Sequence, residues 1–456
     1  MSESPPPALA QQVPRRQAFL FWLRLGFISF GGPAGQIAIM QRELVEQRRW
    51  ISQQRFMHAL SYCMLLPGPE AQQLATYLGW LMHRTLGGVV AGLLFILPSL
   101  VLLLVLSGLY VLYGHHPMAA GLLYGLKPAV AALVLHALYR LGCRCLEPPH
   151  RRPLPWLLAL AAFVTLAGFD GPFPAVVLLA LGLGWAASRW APSALGRDER
   201  PPSAGAQAHA ALIDDHSPLP DHAQPERRRL LWVLAAGLLL WALPMLLLLA
   251  LWGWDATLTQ MAAFFTRAAL LTFGGAYAVL PYVQQAAVEQ HQWLTTAQMM
   301  DGLALGETTP GPLIMVVAFV AFVGAWGQQI LGPQALLAGG VLAACVATWF
   351  TFLPSFVFIL AGGPWVEASR GRPVYALPLR AVSCAVIGVI ASLGWTFLQA
   401  VIWPEPRASA DTLALALVLL ALWLLGARRW GVLPVLALLA LLGAIAVNAP
   451  AWLAVL

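Results

Sequence analysis

The sequence predicts an all-α polytopic membrane protein, two inverted-topology repeats with re-entrant helical hairpins, with about nine full crossings plus four hairpins. Three observations carry this reading. The composition, 60% hydrophobic and 10% charged over 456 residues, is too apolar for a soluble domain. Uninterrupted apolar runs stand at 86–113, 230–252 and 413–425, and such segments cross a bilayer as helix because their backbone groups must be satisfied internally. Residues 21–69 and 264–312 align without a gap at a constant offset of 243. That offset places Phe30-Gly31-Gly32 on Phe273-Gly274-Gly275, Trp50 on Trp293, and Pro67-Gly68-Pro69 on Pro310-Gly311-Pro312. Paired halves with matching breaks are common in secondary transporters.

Taken in order, residues 1–17 are a Pro-rich polar head with Arg15 and Arg16 and no cleavage site, read as a retained cytoplasmic tail. The first repeat, 18–190, opens with a short apolar helix at 18–30, broken by Gly31-Gly32-Pro33 before a second short run at 34–40. This reads as a re-entrant hairpin. Its return leg continues into an amphipathic segment with Arg42, Glu43, Glu46, Arg48 and Arg49 that ends at Trp50, and Ser52 suits a helix cap. Residues 53–66 and 70–82 form a second hairpin broken at Pro67-Gly68-Pro69. Crossings follow at 86–113 and 118–139, then a pair at 154–168 and 173–190 around Asp170-Gly171. The basic clusters of this half, Arg140, Arg144, Arg151, Arg152 and Arg189 among them, fall on one side, which the positive-inside rule assigns to the cytoplasm.

Residues 191–229, rich in Pro, Ala, Asp and His, read as a disordered cytoplasmic linker whose histidines lack the spacing of a metal site. The run 230–252 has no partner in the first half and is an extra crossing that inverts the second repeat, 255–456. The charges agree: Arg42, Arg48, Arg49 and Arg55 are replaced by Gln285, His291, Gln292 and Gln298. Arg370, Arg372, Arg428 and Arg429 then mark cytoplasmic ends, which leaves the C-terminus in the periplasm. The net charge of +7 sits in short loops beside spans, an argument against a nucleic-acid partner. The five cysteines read as inert membrane thiols, and His58 and His136 as packing groups. With no hydrolase elbow, P-loop or zinc-ligand set, no enzyme activity, metal or cofactor is expected.

The chemistry is sought at the breaks. A helix that starts inside the membrane aims unpaired N–H groups and its positive dipole end at a cavity, which attracts anions. Gly31, Gly32, Gly274 and Gly275 would let a backbone approach such an anion; alternatively, they are packing and kink devices. Arg24 and Arg267, each six residues before its Phe-Gly-Gly triplet, are substrate ligands or snorkelling anchors. Lys127 and Arg380 occupy roughly corresponding places in a later helix and are either substrate contacts or interfacial anchors. Glu70 follows Pro69 and either caps its helix or accepts a coupling proton, with Gln72, Gln73 and Thr76 on the same helix start. The second copy departs here: Leu313 replaces Glu70, Asp301 replaces His58, and Glu307, Thr308 and Thr309 precede Pro310.

These residues resemble the chromate ion transporter family, long-chain two-domain type. The resemblance rests on Phe30-Gly31-Gly32-Pro33 with the segment ending at Trp50, on Pro67-Gly68-Pro69-Glu70 with Gln72 and Thr76, and on Leu97-Pro98-Ser99. The second copy adds Thr308-Thr309-Pro310-Gly311-Pro312 and Leu353-Pro354-Ser355. It implies chromate efflux across the bacterial inner membrane and chromate resistance. Residue by residue it points to Gly31, Gly32, Pro67, Gly68, Pro69 and Glu70, and to Gly274, Gly275, Pro310, Gly311 and Pro312. Sulfate, of the same shape and charge, is the nearest rival substrate or competitor; an anion channel and an intramembrane enzyme are the readings from other classes. The bilayer is the one obligatory partner, and a homodimer is compatible with the sequence.

Overall fold

The structure is a computed structural model that describes residues 13–30, 32–114, 116–146, 152–169, 171–190, 211–213, 221–273, 276–368, 376–404 and 409–453. The first repeat holds α1 (Arg15–Ile28), α2 (Gly32–Gln41), α3 (Gln53–Leu65), α4 (Glu70–Tyr113), α5 (Pro117–Cys145), α6 (Pro153–Phe169) and α7 (Phe173–Trp190). After α8 (Arg227–Trp252), the second repeat holds α9 (Thr257–Leu271), α10 (Ala276–Gln284), α11 (Thr296–Thr308) and α12 (Val316–Gly327). It continues with α13 (Leu336–Ala368), α14 (Ala376–Ile402), α15 (Thr412–Gly426) and α16 (Val432–Leu453).

Among the described residues α4, α5, α8, α13 and α14 are each long and apolar enough to cross a membrane, and α6, α7, α12, α15 and α16 are shorter apolar helices. Leu231, Leu238, Leu243 and Leu247 on α8 all point outward. A helix that is apolar all round and still exposed has lipid as its solvent. The protein is an all-α polytopic membrane protein.

The duplication is structural down to single residues. Both α2 and α10 run into one turn of π-helix, Arg42–Gln47 and Gln285–Gln290. Each excursion ends on a left-handed residue, Arg49 at φ 53° and Gln292 at φ 51°. The Trp50 N–H then donates to Leu44 O at 2.8 Å, and the Trp293 N–H to Ala287 O at 2.7 Å. The sequence predicts the amphipathic segment but not the π turn, since an apolar period does not separate i→i+4 from i→i+5 pairing.

Within α4 the backbone leaves helical geometry at His83 and Arg84, and the helix doubles back on itself. Gly79 meets Gly87 and Ala91, and Thr76 meets Gly88 and Gly92. These small residues let residues 70–82 and 85–113 pack backbone against backbone.

The repeats interlock at their distal ends. Helix α5 of the first packs against α14, α15 and α16 of the second, while α14 packs against α5, α6 and α7. Gly125 lies on the Leu439 carbonyl and beside Gly443, and Gly388 lies on the Ala159 carbonyl. Each half thus completes its helix packing with the other's helices.

The linker departs from the solvated chain expected of it, wherever it is described. The Leu212 and Ile213 N–H groups donate to Arg49 O (3.0 Å) and Trp50 O (3.1 Å), and the Ser52 N–H donates to Ile213 O at 3.0 Å. His222 Nε2 lies 3.0 Å from Trp80 O, and Arg229 donates to His222 O. The cause is local: the backbone around Arg49 leaves open donors and acceptors that a passing strand can fill. Linker residues 191–210 and 214–220, with Arg370 and Arg372 of the later loop, lie outside the described residues.

Candidate functional site

The helix breaks of the two repeats meet one another. The Gly68 N–H donates to Thr272 O at 2.8 Å, and the Gly311 N–H donates to Ser29 O at 2.8 Å. Gly68 and Gly311 are equivalent, as are Ser29 and Thr272, so the contact is reciprocal. Ser29 Oγ turns back onto Leu25 O (2.6 Å) and Thr272 Oγ1 onto Ala268 O (2.6 Å). With each hydroxyl satisfied in its own helix, the carbonyl at that helix end is left to the opposite half.

Only glycine fits at these crossing points. Gly68 has φ +123° and Gly311 φ +104°, and a Cβ would run into Ser355 at the first and Ser99 at the second. Both serines come from the Leu-Pro-Ser motifs, which are thereby explained. Gln36 Nε2 donates to Gly311 O at 2.5 Å, and Gln73 Nε2 to Pro67 O at 2.7 Å. Pro69, Pro310 and Pro312 are buried and Pro67 is half-buried.

The cluster carries polar atoms with nothing to bond. Gln36 Oε1, Gln72 Oε1, Gln73 Oε1 and Ser99 Oγ are buried without a hydrogen-bond partner among the described residues. A buried orphan costs about 1–3 kcal/mol, and Gln36, Gln73 and Ser99 stand at the crossing itself.

Of the remaining sequence candidates, Gly31, Gly274 and Gly275 lie outside the described residues, while Gly32 starts α2 at φ +67°. Gln72 bonds Thr76 Oγ1 at 2.9 Å. Thr308 and Thr309 return their hydroxyls to Leu305 O (2.8 Å) and Gly306 O (2.9 Å). Glu70, half-buried, opens the first turn of α4.

The cations are not gathered at the breaks. Arg24 and Arg267 are exposed, as a snorkelling anchor would be. Helix α1 buries Phe21, Trp22, Leu25 and Gly26, and the helical period turns Arg24 away from that stripe; Arg267 donates Nε to Ala263 O at 3.3 Å on its own helix. Arg380 is half-buried, one turn before Cys384, which packs beside Leu158 of α6. Lys127 instead faces a cavity of about 410 Å³ between α5, α11, α14 and α15. The surroundings of Lys127 and Arg380 therefore differ.

Two carboxylates of the second repeat clamp cations of the first. Asp301 Oδ1 lies 3.8 Å from Lys127 Nζ and Asp301 Oδ2 accepts from Tyr110 Oη at 3.0 Å. Glu367 Oε2 lies 3.8 Å from Arg55 and Glu367 Oε1 accepts from Tyr77 Oη at 2.5 Å. Asp301 aligns with His58, whose Nε2 lies 3.2 Å from Val366 O beside Glu367. The two clamps thus stand at pseudo-equivalent places. Glu367, Tyr77 and Tyr110 escape sequence reasoning; the available signal was an acid inside an apolar segment.

A chromate transporter family model matches residues 16–185 and 259–447. The chain is 33% identical over 395 residues to a chromate transport protein of Pseudomonas aeruginosa, covering 86% of this chain and 82% of that protein. It is 29% identical to a chromate transport protein of Cupriavidus metallidurans, at 90% and 88% coverage. A probable chromate transport protein of Synechococcus elongatus is 27% identical, with 82% of each covered. No solved structure matches. Matched over both repeats, whose Pro-Gly-Pro breaks contact each other's half reciprocally, the chain belongs to the chromate transporter family.

Proposed function

We propose that the protein exports chromate, a tetrahedral dianion, from the cytoplasm across the bacterial inner membrane by alternating access, and so confers chromate resistance. The observation that carries this reading is the reciprocal contact of Gly68 with Thr272 and of Gly311 with Ser29. Inverted repeats whose broken helices meet at their interface are how many secondary transporters hold a small ion. The orphaned amides and Ser99 around that contact offer polar groups to an oxyanion. The two unlike clamps, one sealed and one beside an open cavity, support motion of one half against the other.

The loop charges put the N-terminus and linker in the cytoplasm and the C-terminus in the periplasm. In that orientation the Arg55–Glu367 clamp stands toward the cytoplasm and the Lys127 cavity toward the periplasm. Export of a dianion from a negative interior is favoured by about 4.6 kcal/mol per 100 mV, enough to drive uniport without a coupling ion.

The test is chromate uptake into everted membrane vesicles with and without an imposed potential, with sulfate as competitor and Gly311→Ala beside the parent. Uptake driven by potential, weakly blocked by sulfate and lost in the glycine variant is expected. Equal uptake of sulfate would turn the assignment to a general oxyanion carrier, and absence of vectorial flux would end it.

A further inference from the structure

We infer that the Lys127 cavity is an oxyanion docking site at one mouth of the transport path, where the anion competes with Asp301 for the Lys127 ammonium. This rests on the reading of the protein as an oxyanion transporter and names a site apart from the break cluster.

Lys127 is only loosely held. Its Nζ carries three donors, yet its partner among the described residues, Asp301 Oδ1, is 3.8 Å away, beyond hydrogen-bond length. Asp301 Oδ1 accordingly accepts no hydrogen bond there. Lys127 is 32% exposed while Asp301 is 4% exposed, so the ammonium rather than the carboxylate faces the cavity.

The second acid on the wall is already occupied. Asp411 accepts from Tyr124 Oη at 2.7 Å and from the Ala414 N–H at 2.9 Å. Beside Tyr124, whose hydroxyl proton goes to Asp411, Thr295 and Thr296 share the lining with Lys127. Thr295 Oγ1 accepts from the Gln298 N–H (3.2 Å) and Thr296 Oγ1 from Gln284 Nε2 (3.3 Å). Each keeps its own proton to donate. One loosely held ammonium and the free hydroxyl protons of Thr295 and Thr296, in about 410 Å³, offer a small oxyanion an ionic contact and two hydrogen bonds.

The opposite clamp indicates what the pair does. Arg55 and Glu367 have the same pattern, a second-repeat carboxylate against a first-repeat cation with a tyrosine on the remaining oxygen. There the side chains are 2% and 1% exposed, and no anion can reach the guanidinium. The Lys127 clamp is the same device with its cation uncovered. An arriving oxyanion takes over the ammonium and releases Asp301 to Tyr110, which loosens a bond between the two repeats as the site fills.

The two charges therefore make opposite predictions. Binding of chromate, and separately of sulfate, is measured at equilibrium on the full-length detergent-purified protein for the parent, Lys127→Gln, Lys127→Arg and Asp301→Asn. Lys127→Gln should weaken binding about tenfold or more and Lys127→Arg should largely preserve it. Asp301→Asn should tighten binding several-fold, because the competitor is gone, an effect that misfolding does not mimic. Parent-like binding in Lys127→Gln, or weakened binding in Asp301→Asn, overturns the inference. If sulfate binds and chromate does not while the opposite-signed effects persist, the docking site stands and the chromate reading falls. If the parent binds neither anion, both fall.

Discussion

Glycine at positions 68 and 311 is decided by two separate constraints, a backbone at positive φ and a serine side chain where a Cβ would be. At these residues the sequence was a reliable guide, because two glycines framed by prolines at a fixed offset mark a backbone break and little else. Arginine was a less specific guide, since substrate ligand and snorkelling anchor both stayed open. Arg24 and Arg267 are placed on outer faces by the phase of the helix, and that phase is set by which side meets α4 or α13. The buried charge that matters, Glu367, gives no motif at all. Its buried ion pair with Arg55 and the hydrogen bond it accepts from Tyr77 predict that Glu367→Gln destabilises the protein by about 3–5 kcal/mol, the cost of leaving a buried partner charge uncompensated. A double change, Arg55→Met with Glu367→Leu, should restore most of that loss. Thermal unfolding of the purified variants in detergent checks both; equal instability of the single and double variants would show that the pair is not coupled.

The elements themselves were largely legible, since α3 and α7 begin and end within a residue of their apolar patterns. The joints were less so. The π turns after α2 and α10, the fold-back of α4 at His83 and the docked linker strand all depend on contacts remote in sequence. The linker yields a test. Burial, reinforced by the charges of Arg229 and Arg84, lowers the pKa of His222 below its ordinary 6.5, while its bond to Trp80 O opposes the shift. A depressed histidine pKa means docking favours the neutral ring. Its contribution is complete above about 6.5 and is lost as the pH falls through the lower docked value. Limited proteolysis of the linker should therefore quicken as the pH is lowered from about 7.5 to about 5.5, and His222→Gln should flatten that dependence. A pH-independent cleavage rate in the parent would remove His222 from the latch.

At the scale of the molecule, the interlocking of α5 with α15 and α16, and of α14 with α6 and α7, means that neither repeat is a self-contained bundle. Co-expressed fragments 1–229 and 230–456 should copurify, while either alone should be degraded or aggregate; copurification assays with a tag on one fragment decide this. A stable, monodisperse fragment 1–229 by itself would contradict the interlock. The sequence by itself determined the class, the duplication, the breaks and the family, because apolar length, fixed offsets and glycine-proline chemistry are local properties that survive without a fold. Only the tertiary structure decided that the breaks touch across the repeats, that Lys127 faces a cavity and Arg24 does not, and that Asp301 and Glu367 are the clamps. These depend on which helix faces meet, and that is set by packing between residues hundreds of positions apart, where no periodicity or spacing carries the information.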